Sequence, residues 1–239
     1  MTNFITKDSI KRLLKDVKNI IQNPLTENGI YYIHDDTDLL KGYALIIGPE
    51  DTPYFGGYYF FELKYPFDYP HTPPKVTYRT NGDDIRFNPN LYKCGKVCIS
   101  LLNTWRGEQW TSCQTISTVL LTLCTLLCKD PLLNEPGISK NHPDMQKYTD
   151  IIEYENINIA ICNIINKKAE VYHSFFANFE PFIKDNFLKN YDKLLQFAVI
   201  KNTEFSNNPI IMTGAYNMKV LIDYKKVIEK LNTCKILLN

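Results

Sequence analysis

The sequence predicts an α+β fold: a four-stranded antiparallel meander flanked by helices, with a helical C-terminal extension. Three observations carry this. Ile10, Leu13, Leu14, Val17, Ile20 and Ile21 recur at helical spacing near the start. Short β-type runs then follow too closely for helices between them, which favours hairpins over crossovers. From Ile116 onward the patterns are helical again.

The first helix can be capped by Thr6 or Asp8 and is stopped by Asn23-Pro24. Its other face carries Lys11, Arg12, Lys15 and Lys18. The strands are expected at Ile30–Ile33, Gly42–Ile47, Tyr58–Tyr65 and Lys75–Tyr78, punctuated by Gly56-Gly57 and by Pro66, Pro70, Pro73 and Pro74. Residues Arg79–Ser112 have no period, and a long irregular stretch inside a domain is usually functional. Ile116, Val119, Leu120, Leu123, Leu126 and Leu127 then predict a helix apolar nearly all round, and therefore buried, ending before Pro131. Further helices are expected near Ile151–Tyr172, Phe182–Ile200 and Met218–Leu231. KNTEFSNNPIIMTG, before the last of them, reads as loop. No repeat or low-complexity linker separates the tail, so it should pack on the main domain. The expected division is a core at 1–172 and an extension at 173–239.

The 239 residues are 44% hydrophobic, with a formal net charge of +1. That length buries a core without metals or disulfides. Near-neutral charge argues against nucleic acid as main ligand. MTNFITKDSIKRLL has no apolar h-region, and Val119–Cys128, broken by Thr122 and Thr125, is too short for a bilayer. The expectation is a soluble protein of the cytoplasm, the nucleus or both, whose seven cysteines are thiols.

Those thiols decide the chemistry. Cys94/Cys98 and Cys124/Cys128 are each C-x3-C, but His142 and His173 complete no four-ligand cluster, so no metal is expected. Cys124 and Cys128 fill positions of the apolar helix and read as buried thiols. No local signature joins His34, His71, His142 or His173 to Cys98 as a base. In isolation Cys98, between Val97 and Ile99, would be a small core residue. Its setting favours a nucleophile: a Gly-containing turn precedes it, and Asn90 lies eight residues upstream behind the rigid Pro89. An amide can donate to an oxyanion. A thiol beside an amide donor, with no base, suits thioester exchange, in which nucleophile and leaving group are both thiols.

Three blocks then resemble ubiquitin-conjugating enzymes. GPEDTPYFGGYYFFELKYPFDYPHTPPKV, Gly48–Val76, resembles that family's G-P-x-x-T-P-Y-x-G-G, aromatic strands and Y-P-x-x-P-P-x-V. NPNLYKCGKVCISLLNTW, Asn88–Trp105, resembles its active-site segment, usually H-P-N, a Gly, then I/V-C. QWTSCQTISTVLLTLCTLLCKDPLLNEPG, Gln109–Gly137, resembles its Trp loop, buried helix and closing loop. The resemblance spans about residues 6–172 and implies the ubiquitin-conjugating (UBC) fold. It implies that Cys98 carries the thioester. It implies that Asn90 stabilises the oxyanion, orders the loop, or both. It places Glu135, with Asn134 as an alternative alignment, where an acid positions or deprotonates the incoming lysine. Cys94 matches no family function and reads as a loop thiol.

The resemblance implies no cofactor. The implied partners are ubiquitin or a ubiquitin-like protein, a ubiquitin-activating enzyme docking on Lys11, Arg12, Lys15 and Lys18, and a ubiquitin ligase. Departures narrow it. Asn88 replaces His, Ser100 replaces a common Asp, and Arg106–Gln109 is inserted between Trp105 and Trp110. With NEPG and the helical extension, these features resemble a large-chain subfamily that includes Z-type, hybrid O-type and giant inhibitor-of-apoptosis enzymes, and the tail from Ile151 resembles the Z-type most. His71 and Thr111-Ser112-Cys113 stand where ligase contacts are commonly an apolar residue and Ser-Pro-Ala, so ordinary RING-type ligases should bind weakly or selectively. The rival readings are a non-catalytic ubiquitin-binding protein, which would ordinarily lack the cysteine, and a scaffold whose tail recruits a partner.

Overall fold

The computed structural model describes residues 4–82, 84–167 and 176–239. The end expected at Tyr172, the boundary at 172/173 and His173 lie outside the described residues. Helix α1 spans Lys7–Gln22, capped by Thr6, whose hydroxyl oxygen accepts from the Ser9 amide at 3.1 Å. Leu13, Val17 and Ile20 face the core; Leu14 and Ile21 are exposed, although their spacing predicts a buried face.

Strands β1 (Ile30–His34), β2 (Lys41–Ile47), β3 (Tyr58–Lys64) and β4 (Lys75–Tyr78) form one antiparallel sheet in sequence order, as the spacing predicts. β3 is central and apolar nearly throughout, because both faces of the sheet are covered. On one face Tyr59 donates its hydroxyl to Asn156 at 2.6 Å and meets Phe87 edge-on. On the other, Phe60 packs on Phe176 (centroids 4.5 Å apart), Tyr31 stacks on Phe182 (4.3 Å), and Tyr58 donates to the Ile183 carbonyl at 3.1 Å. Those partners come from the C-terminal segment. Full burial of an aromatic side chain such as Phe60 or Phe176 contributes about 1.5–3 kcal/mol.

Helix α2 (Ile116–Leu126) opens with a Thr115/Thr118 capping box and buries Ile116, Val119, Leu120 and Leu123. Leu121 is exposed, so the helix is less completely enclosed than its composition predicts. Helix α3 begins at Met145, earlier than predicted, and runs to Glu155; the chain continues as a π-helix over Asn156–Asn163. At the junction Asn156 turns inward and donates to the Phe55 carbonyl at 2.9 Å.

Helix α4 (Glu180–Glu204) and helix α5 (Tyr224–Leu238) follow. Between them, where loop and then helix were expected, lies a hairpin of β5 (Ile210–Met212) and β6 (Lys219–Leu221). The last helix therefore starts at Tyr224 rather than Met218. Val220 is buried between exposed Lys219 and Leu221, a period-two pattern too short to separate from a helical one by sequence.

Candidate active site

The aperiodic segment is shaped by a hairpin-like return. Gly95 adopts φ +86°, and a side chain there would meet the Tyr78 carbonyl, so glycine is required. The return lays Val97 beside Leu91 and brings Cys98 against Asn90. The Cys98 amide donates to the Asn90 carbonyl at 2.9 Å, and the Asn90 side-chain amide donates back to the Cys98 carbonyl at 2.7 Å. Eight residues of spacing thus become a closed clamp. The second side-chain N–H of Asn90 has no protein acceptor among the described residues.

Asn88 is fully buried and scaffolds this clamp. Its side-chain Oδ1 accepts the Asn90 amide at 2.9 Å, and its side-chain Nδ2 donates to the Leu126 carbonyl at 2.7 Å and the Tyr54 hydroxyl at 3.0 Å. Arg86 supports the same stretch from beneath, donating to the carbonyls of Asn88 (3.1 Å) and Pro89 (2.6 Å). Its guanidinium lies near the rings of Tyr92 (3.5 Å) and Tyr216 (4.9 Å), which stabilise a buried cation that pairs with no carboxylate among the described residues.

Cys98 is 4% exposed, and its thiol donates to the Thr104 carbonyl at 3.0 Å. The Thr104 hydroxyl accepts the Ile99 amide at 2.9 Å and lies 3.0 Å from the Val97 carbonyl, fixing the backbone on both sides of the cysteine. The thiol opens into a small cleft of about 30 Å³ lined by Asn90, Tyr92, Trp105, Asn134 and Glu135. Among the described residues no imidazole lines it. Among the described residues no group of His, Cys, Asp and Glu could hold a metal ion.

Glu135 reaches the cleft from the short 3-10 turn Pro131–Asn134, which Leu132 anchors in the core. Its carboxylate accepts the Tyr216 hydroxyl at 2.5 Å. Burial pushes the Tyr216 hydroxyl upward, and donation to Glu135 raises it further, so it stays protonated. Asn134, the alternative position for the acid, instead donates to the Leu126 carbonyl at 3.3 Å. A shielded thiol, an amide, and a carboxylate share one pocket. That set can accept and release an acyl group without a metal.

The profile of the family described as "Ubiquitin-conjugating enzyme" matches residues 12–156, across both the sheet and this cleft. The chain belongs to the ubiquitin-conjugating enzyme family. Among its relatives are proteins named Ubiquitin-conjugating enzyme E2 Z. The zebrafish (Danio rerio) protein is 37% identical over 190 residues, covering 78% of this chain and 56% of the relative. The human (Homo sapiens) protein is 41% identical over 161 residues, covering 66% of this chain and 45% of the relative. The frog (Xenopus tropicalis) protein is 33% identical over 227 residues, covering 94% of this chain and 70% of the relative. This chain spans about half the length of the zebrafish and human relatives.

Within this ubiquitin-conjugating domain the other predicted residues fall as follows. Cys94 is exposed in the turn, as read. Cys124 and Cys128 are partly buried, and burial pushes both thiols up. Lys11, Lys15 and Lys18 share the exposed face of α1. Arg12 does not join them. It pairs with Asp16 at 3.1 Å and donates to the carbonyls of Ser112 and Gln114 (2.5 and 2.6 Å), bridging α1 to the loop before α2. A guanidinium fork matches such a set of oxygens better than it serves as a loose surface charge. Among the described residues no helix is long and apolar enough to cross a membrane.

Sequence reasoning missed Arg86, Thr104 and Tyr216. Arg86 and Thr104 act through backbone carbonyls, which leave no motif. Tyr216 lies between the expected loop, which ends at Gly214, and the helix expected from Met218, where no pattern marks it.

Proposed function

We propose that the chain is a ubiquitin-conjugating acyltransferase. One observation carries this: Cys98, Asn90 and Glu135 line a single cleft within the region that matches the family. The Cys98 thiolate attacks the C-terminal carbonyl of ubiquitin, or of a ubiquitin-like protein, held as a thioester on an activating enzyme. A new C–S bond forms and the activating enzyme's thiolate leaves. A lysine of a substrate then attacks that carbonyl, or a thiol of a ligase does so; Cys98 leaves as thiolate and takes a proton. Asn90 holds the Cys98 backbone still during both attacks. Its uncommitted N–H is available to the developing oxyanion. Glu135 takes a proton from the approaching lysine ammonium. ATP is consumed by the activating enzyme.

The activating enzyme docks on Lys11, Lys15 and Lys18, with Arg12 holding the helix in place. Residues 1–172 form the conjugating core and 173–239 an extension packed on it. The thiols belong in a reducing compartment, cytoplasm or nucleus. The non-catalytic alternative finds no support: such a protein would ordinarily lack the cysteine, and this chain keeps Cys98 clamped to Asn90.

The test is incubation with an activating enzyme, ATP and a ubiquitin-like modifier, followed by a non-reducing gel. A band shifted by one modifier and collapsed by thiol reductant is expected. Absence of that band with every activating enzyme and modifier pair would refute the reading.

A further inference from the structure

The hairpin between α4 and α5 reaches the cleft from the far end of the chain. Three contacts seat it. The Ala215 amide donates to Asp144 at 2.8 Å, the Arg86 amide donates to the Met218 sulfur at 3.3 Å, and the Tyr216 ring lies against Arg86. Tyr216 adopts φ 62°, a left-handed conformation that bulky residues avoid. Such outliers persist only where the surroundings over-determine them, and they cluster at functional sites. Here the strained backbone aims the hydroxyl at one oxygen of Glu135. Glu135 itself sits just past a 3-10 turn, with nothing else among the described residues holding its carboxylate.

We propose that Tyr216 is a positioning residue for lysine transfer: the extension supplies the hydroxyl that fixes Glu135 beside Cys98. The inference rests on the role proposed above for Glu135. With Oε2 held by Tyr216, Oε1 remains for the lysine. The ammonium gives one proton to Glu135, the amine nitrogen bonds to the thioester carbon, and the C–S bond breaks. A second proton from nitrogen passes to the Cys98 thiolate, and Glu135 returns its proton to solvent. A thiol, whose pKa lies well below that of a lysine ammonium, needs no such base, so Tyr216 should act on amines alone. The extension is then a working part of the lysine site.

Tyr216→Phe keeps the ring over Arg86 and removes only the hydroxyl. Each variant is charged, quenched, and discharged in single turnover to free lysine and, separately, to dithiothreitol. A hydrogen bond to a charged group is worth enough to predict an about tenfold slower lysine discharge in Tyr216→Phe. Discharge to dithiothreitol should be unchanged. In a Glu135→Gln background the Tyr216→Phe change should have no further effect, because the group it positions is gone. Equal slowing with both nucleophiles, or full additivity with Glu135→Gln, would overturn the inference. Lysine discharge at the parent rate in Glu135→Gln alone would instead remove Glu135 from the mechanism, and Tyr216 with it. That failure is distinct from a slow Glu135→Gln paired with a normal Tyr216→Phe, which would sink only the positioning role.

Discussion

Asn90 and Cys98 grip each other twice: the Cys98 amide donates to the Asn90 carbonyl at 2.9 Å, and the Asn90 side chain donates to the Cys98 carbonyl at 2.7 Å. The side chain therefore orders the loop in the resting protein and keeps one N–H in reserve. Asn90→Ala should still charge. Its single-turnover discharge to lysine should fall on the order of 100-fold, the usual cost of losing one oxyanion donor. Small and equal losses in charging and discharge would take Asn90 out of the chemistry.

Asn88 stands where the family pattern has His, and it is the hub of the clamp. Asn88→Ala leaves the Asn90 amide without its side-chain acceptor and the Leu126 carbonyl with only the longer bond from Asn134, at 3.3 Å. We expect a loss of about 1–3 kcal/mol in urea unfolding, with slower lysine discharge as the Asn90 loop loosens. Unchanged stability would mean that water replaces the amide.

The α1 face should behave as a partner surface only at its lysines. Reversing Lys11 and Lys15 to Glu should slow charging steeply at low ionic strength and less at high, since encounter between charged surfaces is screened by salt. Discharge of already loaded protein should hardly change. Arg12→Ala should instead lower the melting temperature, because it severs α1 from the Ser112 and Gln114 carbonyls. Charging insensitive to both reversal and salt would leave the face a solvated surface.

Asp35 links pH to stability. Its carboxylate accepts the Thr37 amide and hydroxyl, the Asp38 amide and the Tyr43 hydroxyl, which together hold its pKa down to about 2. The unfolded chain binds that proton near the ordinary value of about 3.9, so the charged form favours folding above it. That contribution is lost as pH falls toward 2. Asp35→Asn should be less stable than the parent at pH 7, with the gap closing between about pH 4 and pH 2. A pH-independent gap in thermal unfolding would mean that shape, not charge, matters at this turn.

Much of this was legible in sequence. The meander was readable because Gly and Pro bracket short β-branched and aromatic runs, and the observed strands begin and end within a residue or so of those runs. Cys98 and Asn90 were readable because a local turn brings them together. Arg12 was misread because helical period places it beside Lys11 and Lys15, while its partners lie about a hundred residues away in the chain. Arg86 was invisible because its acceptors are backbone carbonyls. Tyr216 lies 81 residues from Glu135, and no periodicity records a contact of that separation. The β5–β6 hairpin reads in sequence as loop over β5 and helix over β6, because three-residue strands carry too few positions to show a period.

The central claim is that Cys98 is the nucleophile, and it is tested most directly by the bond it forms. Charging is run with activating enzyme, ATP and modifier, and the product is resolved with and without thiol reductant. Cys98→Ser should give an adduct that survives reductant, an oxygen ester in place of the thioester. Cys94→Ser, altering the exposed thiol four residues earlier, should charge like the parent and lose its adduct to reductant. Normal, reductant-sensitive charging of Cys98→Ser, with loss of charging in Cys94→Ser, would contradict the account.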